Sequence, residues 1–217
     1  MRIGILGTGS LAAALGAAWS RAGHEVSIAG RSSAKAEKLA ERLGHGARAV
    51  VPREAAVGHD VVLLAVAWDG VEDMLGSAGA PEGLLEGTPL IDPTNPVSHG
   101  VGVLLTGPGE SMARRIAGVA RGAHVVKAFH LFPAVQWTGS AGADPGGATV
   151  PMCGDDAPAL RVVGELVRDA GGTPAVLGGL DRARQLEEVA GFVIGLAFAG
   201  IDPNAAIPRV PAKAATE

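Results

Sequence analysis

Gly7-Thr8-Gly9-Ser10-Leu11-Ala12 follows directly on the apolar run Arg2–Leu6 and opens the alanine-rich stretch Ser10–Arg21. No other part of the sequence constrains the fold as strongly. In the pattern G-x-G-x-x-A, Gly7 permits a tight turn after a strand and Gly9 lets the backbone approach a pyrophosphate. Ala12 is small enough for the helix to pack closely on a sheet. The free amides at the start of that helix then face the phosphates, helped by the helix dipole. A second apolar run, Glu25–Ala29, completes a strand–turn–helix–strand unit. The expectation is a dinucleotide site at the head of a parallel sheet.

The end of the second strand decides which dinucleotide. An acid there binds the adenosine ribose 2′-hydroxyl of NAD and repels a 2′-phosphate. This chain has Arg31 instead, followed by Ser32 and Ser33, with Lys35 four residues on. A guanidinium grips phosphate through two parallel hydrogen bonds, hydroxyls donate to it, and an ammonium adds a point charge. The reading is NADP(H) rather than NAD(H).

Short apolar runs alternate with helical segments along most of the chain, the pattern of a sheet covered on both faces. Strands are expected at Arg2–Leu6, Glu25–Ala29, Ala47–Val51, Asp60–Val66, Pro89–Asp92, Ala123–Ala128, Thr149–Cys153 and Thr173–Leu177. Helices are expected at Ser10–Arg21, Ser33–Leu43, Trp68–Ser77, Glu110–Gly118, Ala157–Ala170 and Asp181–Ala199, with Ser33 and Asp156 as N-caps. The fold class is therefore α/β, a doubly wound, mostly parallel sheet of the Rossmann type. Residues 1–154 read as the NADP-binding domain and 155–217 as a smaller C-terminal portion. The late helix carries Phe192, Ile194, Leu196 and Phe198, too apolar all round for a lone surface helix. Burial against the sheet or in a homodimer interface is expected. Gly- and Pro-rich loops are expected at Gly76–Gly87, Pro93–Gly109 and Thr138–Gly147. The tail Gly200–Glu217, with Pro203, Pro208 and Pro211, reads as irregular.

Composition removes several function classes. Hydrophobic residues make up 47% of the 217 and charged residues only 18%, which suits a compact core and not a disordered chain. A net charge of −4 offers no general attraction to nucleic acid or to an anionic membrane. No apolar stretch approaches the roughly 20 residues that span a bilayer. Gly4, Gly7 and Gly9 interrupt the N-terminal run, so it reads as strand and turn, not as a signal peptide. The single cysteine, Cys153, precludes an intrachain disulfide and fits a reducing, cytoplasmic setting. The chain has no tyrosine, so no Tyr/Lys proton-donating pair can exist. The six histidines and Cys153 show no zinc-ligand spacing, and no metal is expected.

Three segments fall at the predicted carboxyl ends of strands, the edge where a doubly wound sheet binds ligands. They are Ala65-Val66-Ala67-Trp68, Asp92-Pro93-Thr94-Asn95-Pro96, and Lys127-Ala128-Phe129-His130-Leu131-Phe132-Pro133.

With these segments in view the sequence resembles the NADPH-dependent reductases of the deazaflavin coenzyme F420. The resemblance runs from Met1 to about Ala199 through GTGSLAAAL, GRSSAKAEK, LLAVAWDGV, IDPTNPV, GESMARRIA, VVKAFHLFPAV, VPMCGDD and GGLDRARQLEE. It implies that NADP lies on Gly7, Thr8, Gly9, Ser10 and Leu11, with its 2′-phosphate held by Arg31 and Lys35 beside Ser32. Val66 to Trp68, together with Asn95 and Ala128, would border the nicotinamide end. His130, Phe132 and Pro133 would meet the deazaflavin. Hydride would pass directly between the two cofactors, with His130 orienting a ring and not transferring a proton. The C-terminus departs from the Gly-Ile-Lys-Phe-like ending of archaeal-type members, reading AGIDPNAAIPRVPAKAATE instead. Two alternatives therefore stand. One is an NADPH-dependent reductase of a small imine or carbonyl compound, in which His130 or Asp92 becomes essential. The other is a module that senses NADPH without turnover.

Overall fold

The computed structural model describes residues 1–139 and 147–208. The expectations for the centre of the Thr138–Gly147 loop and for the tail past residue 208 lie outside the described residues.

Eight strands form one sheet: β1 (Arg2–Leu6), β2 (Glu25–Ala29), β3 (Arg48–Ala49), β4 (Val61–Leu64), β5 (Pro89–Asp92), β6 (His124–Lys127), β7 (Thr149–Gly154) and β8 (Thr173–Gly178). Their order is β3-β2-β1-β4-β5-β6-β7-β8. All neighbours run parallel except β6 and β7, where Lys127 pairs antiparallel with Cys153. The chain winds one way from β1 to β3 and the other way from β4 to β6. The gap between β1 and β4 is therefore the switch point where ligands bind in such sheets.

Among the described residues seven helices cover the faces: α1 (Ser10–Arg21), α2 (Ser33–Leu43), α3 (Pro52–Ala56), α4 (Val71–Ser77), α5 (Met112–Val119), α6 (Ala157–Asp169) and α7 (Ala183–Phe198). Strand alternation sorts the core into two layers. Ile3, Ile5, Ile28, Leu63 and Val126 pack with α1, α2 and α6 on one face. Leu6, Val62, Leu64 and Leu90 pack with α3, α4, α5 and the start of α7 on the other.

Several expectations need correction. The strand expected at Ala47–Val51 shrinks to two residues at the sheet's edge, because Pro52 starts the five-residue α3, which the reading missed. The helix expected from Trp68 begins as a 3-10 turn at Trp68–Gly70 and becomes α-helical only at Val71. The helix expected from Glu110 starts at Met112, capped by Ser111, whose Oγ accepts from the Arg114 amide at 3.2 Å. Ser33 is not an N-cap. Ser32 holds that place, its Oγ accepting from the Lys35 amide at 3.4 Å, while Asp156 caps α6 as expected, through a 2.7 Å bond from the Ala159 amide.

Helix α7 divides. Its first half buries Ala183, Leu186, Glu187, Ala190 and Gly191, but Phe192 is 49% and Phe198 55% exposed. Packing against the sheet therefore accounts for only half of its apolar surface. The distal half instead meets the Val97–Leu105 loop, where Gly102 (φ +78°) sits so close that an added Cβ would lie 2.1 Å from the Gly191 carbonyl oxygen. His99 and Phe198 close the end of this contact with an edge-on ring pair, centroids 4.9 Å apart. Among the described residues no helix is long and apolar enough to cross a membrane, and no group of three His, Cys, Asp or Glu could hold a metal ion.

Candidate active site

The ends of β1, β2 and β4 build a groove. Gly7 N donates to Ala29 O at 2.8 Å, and Ala65 N donates to Leu6 O at 2.8 Å, so the ends of β1, β2 and β4 are tied together. Around them lies a cavity of about 220 Å³ lined by Gly7, Thr8, Gly9, Gly30, Arg31, Ser32, Lys35, Met74 and residues 65–67. Gly9, the residue before α1, caps it with no side-chain hydrogen bond, and no acid stands in the first turn. A Cβ at Gly9 would meet nothing within 4 Å. The helix amides thus open onto free space, as an anion site requires. Arg31 and Lys35 are exposed, and neither forms an ion pair with another described residue. Two uncommitted cations beside Ser32 fit a phosphate monoester.

Most of the predicted dinucleotide residues therefore converge: Gly7, Thr8, Gly9, Arg31, Ser32, Lys35 and Val66 share one groove. Ser10 and Leu11 begin α1 beside it without lining it. Trp68, 38% exposed, borders a second cleft of about 280 Å³ together with Pro96, Thr106, Met112 and Arg115.

The ends of β5 and β6 form the next part of the edge. Asn95 Nδ2 donates to the His130 carbonyl at 2.6 Å, and Ala128 N donates to Asp92 O at 3.1 Å. Between them Phe129 adopts φ +61°, a left-handed conformation that costs energy for a residue with a side chain. Its buried ring is wedged edge-on against Trp19 and Trp137, with centroids 6.0 and 5.2 Å away, and this packing holds the strained turn. The turn carries the chain into His130. Ala128 is wholly buried, Phe132 half-buried against Trp137, and Pro133 exposed.

His130 is only 5% exposed, and among the described residues neither ring nitrogen has a hydrogen-bond partner; Asn95 Oδ1 is likewise buried and unpartnered there. Such orphaned atoms at a ligand-binding edge are places for a ligand's polar groups. Burial first, and the Lys127 charge second, push the imidazole from its usual 6.5 down to about 3. The ring is neutral near pH 7 and can donate or accept a hydrogen bond there, but it holds no spare proton. Between about 6.5 and 3, unfolded chains take up a proton at His130 that folded chains refuse. Stability is therefore full above 6.5 and falls as the pH drops through that window. His130→Gln flattens the fall, a result that thermal unfolding at about pH 7 and about pH 5 would check. An equally steep fall in the variant would assign the acid sensitivity to other groups.

The sequence reading placed Lys127 at this edge without a role, and missed Glu187. Lys127 and Glu187 are fully buried, and Lys127 Nζ bridges Asp92 Oδ2 at 2.9 Å and Glu187 Oε1 at 3.0 Å. Lys127 left a signal, a lone cation inside the apolar run Val125-Val126-Lys127-Ala128-Phe129 of an expected interior strand. Glu187 left none, since Glu188 beside it has the same chemistry and faces solvent. Cys153 is buried, and burial pushes its thiol up to about 12, so it is inert as a nucleophile.

The family model of the coenzyme F420-dependent NADP oxidoreductases matches residues 2–96. Over that segment, less than half of its length, the chain is similar to this family. The segment spans β1 to β5, and hence the whole groove and the Asp92–Asn95 turn. The fold continues over nearly the full chain in a candidate F420-dependent NADP reductase from Arthrobacter sp. FB24, at TM-score 0.78 and 24% identity, covering 92% of this chain and 95% of that one. A hypothetical protein from Sinorhizobium meliloti matches at TM-score 0.72 and 27% identity, over 84% of this chain and 87% of that one. Metalloreductase STEAP3 of Rattus norvegicus is 29% identical over 193 residues, which is 87% of this chain but 36% of the longer protein. The chain thus spans about a third of the length of that curated relative.

Proposed function

We propose that the protein transfers a hydride between NADP(H) and the deazaflavin coenzyme F420. The observation that carries this reading is an edge with buried, unpartnered hydrogen-bonding atoms whose imidazole, His130, is neutral near pH 7 and holds no spare proton. Lys127 Nζ is engaged by Asp92 and Glu187. Reduction of an imine or carbonyl compound must deliver a proton to the product's heteroatom, so it favours a positioned acid. Transfer between two cofactor carbons needs alignment and exclusion of water, and the accompanying ring proton exchanges with solvent.

In this reading Gly7, Thr8, Gly9, Ser10 and Leu11 carry the pyrophosphate, and Arg31, Ser32 and Lys35 the 2′-phosphate. Val66, Trp68, Asn95 and Ala128 would border the nicotinamide, which would supply the hydride for the deazaflavin. His130, Phe132 and Pro133 face the deazaflavin, where the neutral imidazole and Asn95 Oδ1 supply hydrogen bonds that orient the rings. The dinucleotide belongs to residues 1–154, with residues 155–217 as a smaller portion that supports them.

Anaerobic mixing of the protein with NADPH and oxidised F420, followed through deazaflavin absorbance, tests the reading. Rapid bleaching with NADPH and little with NADH is expected. NADPH binding without bleaching would leave the groove standing and sink the acceptor.

A further inference from the structure

Asp92, Lys127 and Glu187 meet where β5, β6 and α7 converge, and none of the three has any exposed surface. Beyond its two carboxylate contacts, Lys127 Nζ donates to the Thr94 carbonyl. Its ammonium is thus held by two hydrogen bonds, to Asp92 and Thr94, and by the ion pair with Glu187. The acids are as fully engaged. Asp92 Oδ1 accepts from Thr94 N at 2.8 Å and from Thr94 Oγ1 at 2.6 Å. Glu187 accepts from the Met112 and Ala113 amides at 3.0 and 3.2 Å. These amides open α5, whose positive end offsets the excess negative charge of two carboxylates facing one cation.

A buried ionic cluster is a poor device for stability alone, because apolar residues of similar volume often do as well. Its position says more. The carbonyl that Lys127 holds belongs to Thr94, and the next residue, Asn95, holds the His130 carbonyl at 2.6 Å. The loops leaving β5 and β6 are thus latched to each other at two successive points. Beyond the second latch stand the unpartnered Asn95 Oδ1 and the unpartnered His130 ring.

We propose that Lys127 is a positioning residue for the reaction: anchored by Glu187 and Asp92, it fixes the Thr94–Asn95 turn and so sets where Asn95 and His130 present their free polar atoms. This makes the last helix, through Glu187, part of the site's geometry. The inference rests on reading this edge as the place of hydride transfer.

Lys127→Met, which removes the donors with little change in length, tests it in the full chain. NMR should show the Asn95 side-chain amide exchanging with solvent at least about tenfold faster than in the parent protein. With NADPH and F420, kcat should fall by about a hundredfold while KM for NADPH stays within about twofold, since a displaced orienting group harms alignment more than binding. Added to Asn95→Ala, the substitution should lower kcat no further, because both act through one contact. Unchanged Asn95 exchange, or kcat losses that multiply, would reduce Lys127 to a structural support. If Lys127→Met does not fold, Glu187→Asp keeps the charge and shortens the anchor by one methylene, and unchanged Asn95 exchange in that variant overturns the proposal. Should the parent protein not reduce F420, the acceptor assignment falls, and Asn95 exchange alone decides the role of Lys127.

Discussion

With Arg31 replaced by Ala, the Kd for NADPH should rise by about a hundredfold while that for NADH changes by less than about twofold. Arg31 lines the groove at the end of β2, is exposed, and is not engaged by any described carboxylate. Its guanidinium is therefore available to form two parallel bonds to the one group that distinguishes the two nucleotides. Lys35, a point charge in the first turn of α2, contributes less, and Lys35→Ala should raise the NADPH Kd by about tenfold. Both contributions act at the surface, so NADPH affinity should weaken with added salt more steeply than NADH affinity. Calorimetric titration with each nucleotide at two ionic strengths measures all of this. Equal losses for NADPH and NADH would detach Arg31 from the 2′-phosphate.

Gly7→Ala should destabilise the fold by about 3–5 kcal/mol, lowering Tm by about 10 °C. A Cβ at Gly7 would lie 1.9 Å from the Ala65 carbonyl oxygen, at φ +140°, where side chains are strained in any case. Neither wall can yield cheaply. The Gly7 amide is bonded to Ala29 O and the Ala65 amide to Leu6 O, so any retreat breaks the ends of three neighbouring strands. Gly9→Ala makes the contrast, since its Cβ points into open space. It should leave Tm without ligand within about 2 °C while weakening both nucleotides, because the space it fills is where the pyrophosphate backbone approaches. Thermal unfolding with and without NADPH separates the two effects. A Gly7→Ala protein as stable as its parent would mean that the β1–β4 crossing relaxes more easily than these bonds allow.

The parts of the molecule that rest on local rules could be read from the sequence. The bounds of β1, β2, β5, α1 and α2 coincide with those expected, because turn glycines, apolar runs and helix formers agree there. That Gly7 to Gly9 and Arg31 to Lys35 line one groove was equally accessible, since each stretch is contiguous and they sit on adjacent strand ends. Choosing Ser33 over Ser32 as the cap of α2 was an error of one residue between two identical side chains, which only backbone direction resolves. What stayed hidden depends on distance along the chain. Glu187 finds the α5 amides 74 and 75 positions away, and nothing near it in sequence marks the inward-facing acid. The left-handed turn at Phe129 is held between Trp137 and Trp19, and the second wall lies over a hundred residues earlier, out of reach of any local rule. The exposed end of α7 was hidden for a different reason. Hydrophobicity records that a surface is to be covered, not whether the cover lies in the same chain.

The antiparallel pairing of β6 with β7 has a consequence for α7. Lys127 at the end of β6 pairs with Cys153, and Cys153 with Gly178, so β8 ends level with Lys127 and α7 starts five residues later. Along its length α7 is held at three positions, by charge at Glu187 and by close backbone approach at Gly191 and Gly195. These positions are four residues apart and share one face of the helix. One residue inserted between Glu187 and Gly191 would turn everything beyond it by about 100°. The carboxylate and the two glycines could then no longer face their partners together. The phase of this helix is set by two unrelated forces, and its sequence can change length only in whole turns.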